Sequence, residues 1–98
     1  MIVFEVKTTR NTSWDLELRS EIKQMVSIAN DPTFGSGDIS NVVNAVNNWM
    51  QNRKRDTTGA IWMSYKLVWE GARVAVYNIN LNGEVKRTVG IIRKEEAN

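Results

Sequence analysis

Residues 59–93 read GAIWMSYKLVWEGARVAVYNINLNGEVKRTVGIIR, and two breaks inside this run decide the fold. Glu70-Gly71 reads as a tight turn. Asn82-Gly83 is the strongest short hairpin signal, because both residues tolerate positive φ. The segments between the breaks are rich in β-branched and aromatic residues, as strands are. The run predicts a three-stranded antiparallel meander, with strands over roughly 59–69, 72–81 and 84–93.

Two-residue loops at both breaks fix a register. Leu67 then opposes Val74, Tyr65 opposes Val76, Val76 opposes Val89 and Val74 opposes Ile91. With Ile61, Met63 and Trp69 these residues form one apolar face, the expected core side. The other face carries Trp62, Ser64, Lys66 and Val68, then Arg73, Ala75, Tyr77 and Ile79, then Lys86, Thr88, Ile92 and the nearby Lys94.

Upstream, Ile2–Lys7 is β-branched and aromatic and reads as a strand with Ile2, Phe4 and Val6 on one face. Residues 13–30 allow two readings. Trp14, Leu16 and Leu18 alternate as in a strand, whereas Trp14, Leu18, Ile22, Met25 and Ala29 recur at helical spacing. Thr12 or Ser13 would cap the helix, with Asp15 and Glu17 favourable in its first turn. The helix is the preferred reading, ending near Asn30-Asp31-Pro32; the runner-up is a strand at 14–19 and a short helix. Residues 31–37 form a loop, and Asp38 caps a second helix whose stripe is Ile39, Val42, Val43, Val46, Trp49 and Met50. Asparagines at 41, 44, 48 and 52 occupy its outer face. The fold class is α+β: one domain over residues 1–98, in β-α-α-β-β-β order, with helices packed on one face of the sheet.

Composition narrows the chemistry. The chain has no cysteine and no histidine. No thiolate is available as a nucleophile or metal ligand, and the usual acid–base side chain near neutral pH is missing. Gly35-Ser36-Gly37 lacks the rest of a phosphate-binding loop, and Asp31, Asp38 and Asp56 read as loop or cap residues. We expect no cofactor and no metal. The chain start lacks a secretory pattern, and no apolar run reaches the roughly 20 residues that span a bilayer. The expectation is a soluble cytoplasmic protein with no membrane partner.

Charge is unevenly spread. Residues 1–49 carry four basic and six acidic side chains, and residues 53–94 carry nine basic against three acidic. A basic half points to an acidic partner, whether nucleic acid or protein. Arg53-Lys54-Arg55 end the second helix, where cations offset its dipole; they form a secondary basic candidate. The principal candidates are Trp62, Lys66, Arg73, Tyr77, Lys86 and Arg93, a basic and aromatic sheet surface. Cations neutralise phosphates and aromatics stack on bases, while Trp, Tyr and Arg are also enriched at protein interfaces.

The stretch Tyr65-Lys66-Leu67-Val68, followed by Arg73-Val74-Ala75-Val76-Tyr77 and Val89-Gly90-Ile91-Ile92-Arg93-Lys94, resembles the last three strands of RelE/HigB-type mRNA interferases. That resemblance covers less than half the chain. It implies RNA cleavage on the ribosome, with Lys66, Arg73 and Arg93 at the basic sheet positions. The tail Glu95-Glu96-Ala97-Asn98 has no counterpart of the Tyr or His that many members place after the last strand.

Three functions follow as expectations. The first is a non-enzymatic binding module with a protein or ribonucleoprotein partner, by analogy with phage inhibitors of host defence such as anti-CRISPR and anti-restriction proteins. The second is the interferase or another RNA-binding protein. The third is a homodimer or larger structural assembly with the apolar open face buried between copies.

Overall fold

A computed structural model describes residues 1–55 and 59–96, so Asp56 and the last two residues of the tail lie outside the described residues. The element order is β1 (Ile2–Val6), α1 (Ser13–Ala29), α2 (Ile39–Arg53), α3 (Gly59–Trp62), β2 (Tyr65–Glu70), β3 (Arg73–Ile79) and β4 (Val85–Lys94). The class is α+β, as expected, with a C-terminal meander. The strands form one antiparallel sheet in the order β1-β4-β3-β2. The chain therefore leaves one edge at β1, runs through the helices and re-enters at the opposite edge as β2. That single crossing places α1 and α2 against the same sheet face.

Helix α1 is one helix from Ser13 to Ala29, which settles the ambiguous segment. The Thr12 side chain accepts a hydrogen bond from Asp15 N at 3.2 Å and caps it. At its far end Asn30 Oδ1 accepts from Ile2 N at 2.8 Å, and Asn30 Nδ2 donates to Ile2 O at 2.7 Å. One amide thus ties the end of α1 to the sheet edge. Helix α2 follows its predicted stripe: Ile39, Val42, Val43, Val46 and Met50 are buried, and Asp38 caps it through Ser40 N at 2.9 Å. The asparagine face is exposed. Leu18, Ile22 and Val26 of α1 join this stripe over Ile2, Val74, Val76, Val89 and Ile92 to make one core.

Three expectations about the meander need correction. Its first strand begins at Tyr65; residues 59–62 form α3 instead. The first loop is Gly71-Ala72, so Leu67 opposes Val76 and Tyr65 opposes Asn78. This shift moves every partner by two and leaves each side chain on its expected face. The second loop has three residues, Leu81-Asn82-Gly83, closed by Asn80 N donating to Glu84 O at 2.9 Å. Gly83 lies at φ +80, the left-handed position such loops reserve for glycine. Register shifts at Val76/Tyr77 and Asn78/Ile79 then pair Val74 with Ile92 and Val76 with Gly90. Ile92 accordingly turns into the core, where the sequence placed it outside, and Ile91 takes its place on the other face.

Trp62 moves furthest from expectation. It ends α3, fully buried at 0% exposure, against Trp49 at 4.8 Å between ring centroids and Tyr65 at 5.8 Å. Among the described residues its indole Nε1 has no hydrogen-bond partner, so ring contacts and packing hold it. The sequence gives an apolar run, Ala60-Ile61-Trp62-Met63, too short to distinguish a strand end from a helical turn.

Gly90 allows β1 to close on β4. A Cβ there would collide with the Phe4 ring and meet Glu5 O at 2.8 Å. Gly90→Ala is expected to cost about 1–3 kcal/mol through overpacking. Urea unfolding measures this, and a midpoint equal to wild type would show that β1 yields freely.

Candidate binding surface

The covered face contains a polar cluster that positions everything else. Asp15, on α1, has 0% exposure. Tyr65 Oη donates to its Oδ1 at 2.5 Å. Arg87 Nη2 straddles the carboxylate, hydrogen-bonding to Oδ1 at 2.8 Å and lying 2.7 Å from Oδ2. The three residues come from α1, β2 and β4, so the cluster clamps the first helix to two strands. Among the described residues Arg87 Nε and Nη1 are buried without hydrogen-bond partners, which makes the clamp dependent on Nη2.

Burial works against ionisation of Asp15, but hydrogen bonds from Arg87 and Tyr65 and the Arg87 charge outweigh it. Its carboxyl is held below the usual carboxylate range. Burial first, then the hydrogen bond to Asp15, push the Tyr65 phenol up to about 12. Among local signals, Asp15 looked like a first-turn acid near a helix dipole. No spacing rule links it to Arg87, 72 residues away.

Among the described residues no helix lies over the opposite face of the sheet. Register places three cross-strand rows there. Lys66, Tyr77 and Thr88 form one, Val68, Ala75, Ile91 and Glu5 the next, and Glu70 with Arg73 a third beside Arg93. Tyr77 Oη donates to Glu70 at 2.5 Å, so the ring runs back along the sheet above Ala75. This explains why Ala75 is only 2% exposed on an uncovered face. The hydrogen bond to Glu70, then burial, raises the Tyr77 phenol above its ordinary value. Glu5 is engaged by Lys7 at 3.1 Å and by Arg93 at 3.6 Å. The Lys7 hydrogen bond chiefly lowers the Glu5 carboxyl.

Of the sequence-predicted residues, Lys66, Arg73, Tyr77 and Arg93 share this uncovered face. Trp62 does not; it belongs to the core. Lys86 is the unpaired residue at the second register shift and lines a separate depression with Met63, Ile79 and Leu81. The secondary basic run divides. Arg53 pairs with Glu17 of α1 at 2.6 Å and sits 5.8 and 5.7 Å from the Trp49 and Trp62 rings, a structural role joining α1, α2 and α3. Lys54 and Arg55 remain exposed. Among the described residues no cluster of three or more His, Cys, Asp or Glu side chains could hold a metal ion, and no helix is long and apolar enough to cross a membrane.

Comparison with family models, with curated proteins and with solved structures finds no match for the chain.

The clamp generates a pH-dependent prediction. Because Asp15 is depressed in the folded state, its contribution is full above the unfolded carboxyl pKa of about 3.9 and fades as pH falls through the folded value. Asp15→Asn should therefore cost about 3 kcal/mol at neutral pH, where it strands the Arg87 charge. That deficit should shrink as wild type is acidified below about pH 4. Urea unfolding of both proteins across pH checks this; a constant deficit would place the carboxylate outside the folding energetics.

Proposed function

We propose that this chain is a non-enzymatic binding module that docks an acidic protein surface on its uncovered sheet face, occupying the partner as an inhibitor does. The observation that carries this reading is the make-up of that face. An apolar centre of Val68, Ala75 and Ile91 is flanked by Lys66, Arg73, Arg93 and the Tyr77 ring. Apolar centres rimmed by cations and aromatics are what protein interfaces use. Cations at the rim steer an acidic partner and set the rate of encounter.

A protein partner is favoured over single-stranded nucleic acid for a specific reason. Base stacking uses successive aromatic platforms. With Trp62 in the core, Tyr77 is the aromatic on this face among the described residues, and Glu5 and Glu70 share the face with it. The setting most consistent with a small cysteine-free module is a reducing cytoplasm, and a phage-type inhibitor of host defence is the biological role we propose. The interferase reading keeps one support: Lys66, Arg73 and Arg93 do share the face. Under that reading, expression arrests growth and Arg73→Ala relieves the arrest.

The test compares wild type with the Arg73→Glu/Arg93→Glu double variant in pull-downs from the source organism's lysate, with and without nuclease. Wild type should retain a protein that survives nuclease, and the variant should lose it at least tenfold at equal folded content, with capture weakening as salt rises. Capture abolished by nuclease, or indifferent to the charge reversal, contradicts the proposal.

A further inference from the structure

Strand β2 is a sheet edge, and among the described residues no strand pairs with its outer side. In the two-residue hairpin, Glu70 and Arg73 flank the loop and exchange hydrogen bonds. Glu70, Val68 and Lys66 therefore direct their backbone groups toward β3, and Leu67 and Trp69 turn theirs outward. The same six residues, Tyr65-Lys66-Leu67-Val68-Trp69-Glu70, are self-complementary when laid antiparallel on themselves about Val68.

We propose that two copies of this chain pair through their β2 edges, with a two-fold axis at Val68, to join the sheets into one continuous sheet. In this register Leu67 faces Trp69 of the partner subunit, and both residues bring outward-turned backbone groups, as an antiparallel ladder demands. On the uncovered face Lys66 meets Glu70 of the partner subunit, and by symmetry Glu70 meets Lys66 of the partner subunit. Opposite charges in directly opposed positions are a stabilising cross-strand pair. On the helix side the pairing shields Trp69, which is otherwise 48% exposed although its strand faces the core. A two-fold contact of this kind is isologous and closes at two copies.

The other edge does not offer the same contact. On β1, Glu5 is already engaged by Lys7 and Arg93. On β2, Lys66 has no ion pair among the described residues, and Glu70 is held by a neutral hydroxyl. The association is independent of the partner proposed above and would extend the uncovered face across both copies.

Sedimentation equilibrium over a concentration series, with circular dichroism as the folding control, tests the pairing. Wild type is expected to dimerise. Lys66→Glu and Glu70→Lys should each raise the dissociation constant on the order of tenfold, because two attractive pairs become repulsive ones. The Lys66→Glu/Glu70→Lys swap should restore wild-type affinity. Trp69→Pro removes an outward N–H without touching the β3 ladder and should give a monomer even where a charge variant folds poorly. A wild type that stays monomeric at every concentration overturns the proposal; Lys66 and Glu70 would then merely guard a solitary edge. A dimer whose dissociation constant is unchanged by either single charge reversal overturns it too, by placing the contact elsewhere.

Discussion

An aspartate shut off from water and held by an arginine from the far end of the chain determines how this molecule is assembled. Asp15 reaches Arg87 on β4 and Tyr65 on β2 from the first turn of α1. A charge in that position is tolerable only while both partners are in place, since burial opposes it. The requirement sets the rotation of α1 on the sheet and keeps the start of β2 beside it. With α1 fixed, Asn30 secures β1, and Arg53 secures α2 through Glu17. Hydrophobic burial supplies most of the driving force, but it is non-directional. The polar contacts select one arrangement from those the apolar stripes would accept.

What this arrangement leaves open matters as much as what it covers. A chain that crosses from one sheet edge to the other along a single side must leave the second side bare. The bare side has its own order. Tyr77 lies along the sheet toward Glu70 and covers Ala75, so part of the apolar centre is already protected. Cations then stand around a surface that is neither fully wetted nor fully packed. Such a surface suits a partner that brings carboxylates to the rim and apolar atoms to the middle.

The sequence made much of this architecture legible, for reasons visible in individual residues. Helix α2 was plain because its apolar stripe and asparagine face separate cleanly at helical period. Helix α1 was harder because Trp14, Leu16 and Leu18 also fit a strand; the burial of Asp15 and Arg19 beside Leu18 explains why its stripe looked blurred. The faces of β2 and β3 were readable since a slip of two residues preserves sidedness. The face of β4 was not, because the loop after Asn80 holds three residues and two register irregularities follow. That exchanged Ile91 and Ile92. Trp62 was misplaced because four apolar residues carry no period. The clamp was invisible because Asp15 and Arg87 each have an ordinary local explanation.

The helices cover one sheet face and leave the other accessible. The absence of cysteine permits a direct test by thiol labelling of single-cysteine variants at neighbouring positions of opposite facing, Thr88→Cys and Val76→Cys. The Thr88→Cys variant is expected to react readily in the native protein, while the Val76→Cys variant reacts only through unfolding and speeds up with denaturant. Equal protection at both positions would contradict this, by showing that both faces are covered and that no open sheet face is left for a partner.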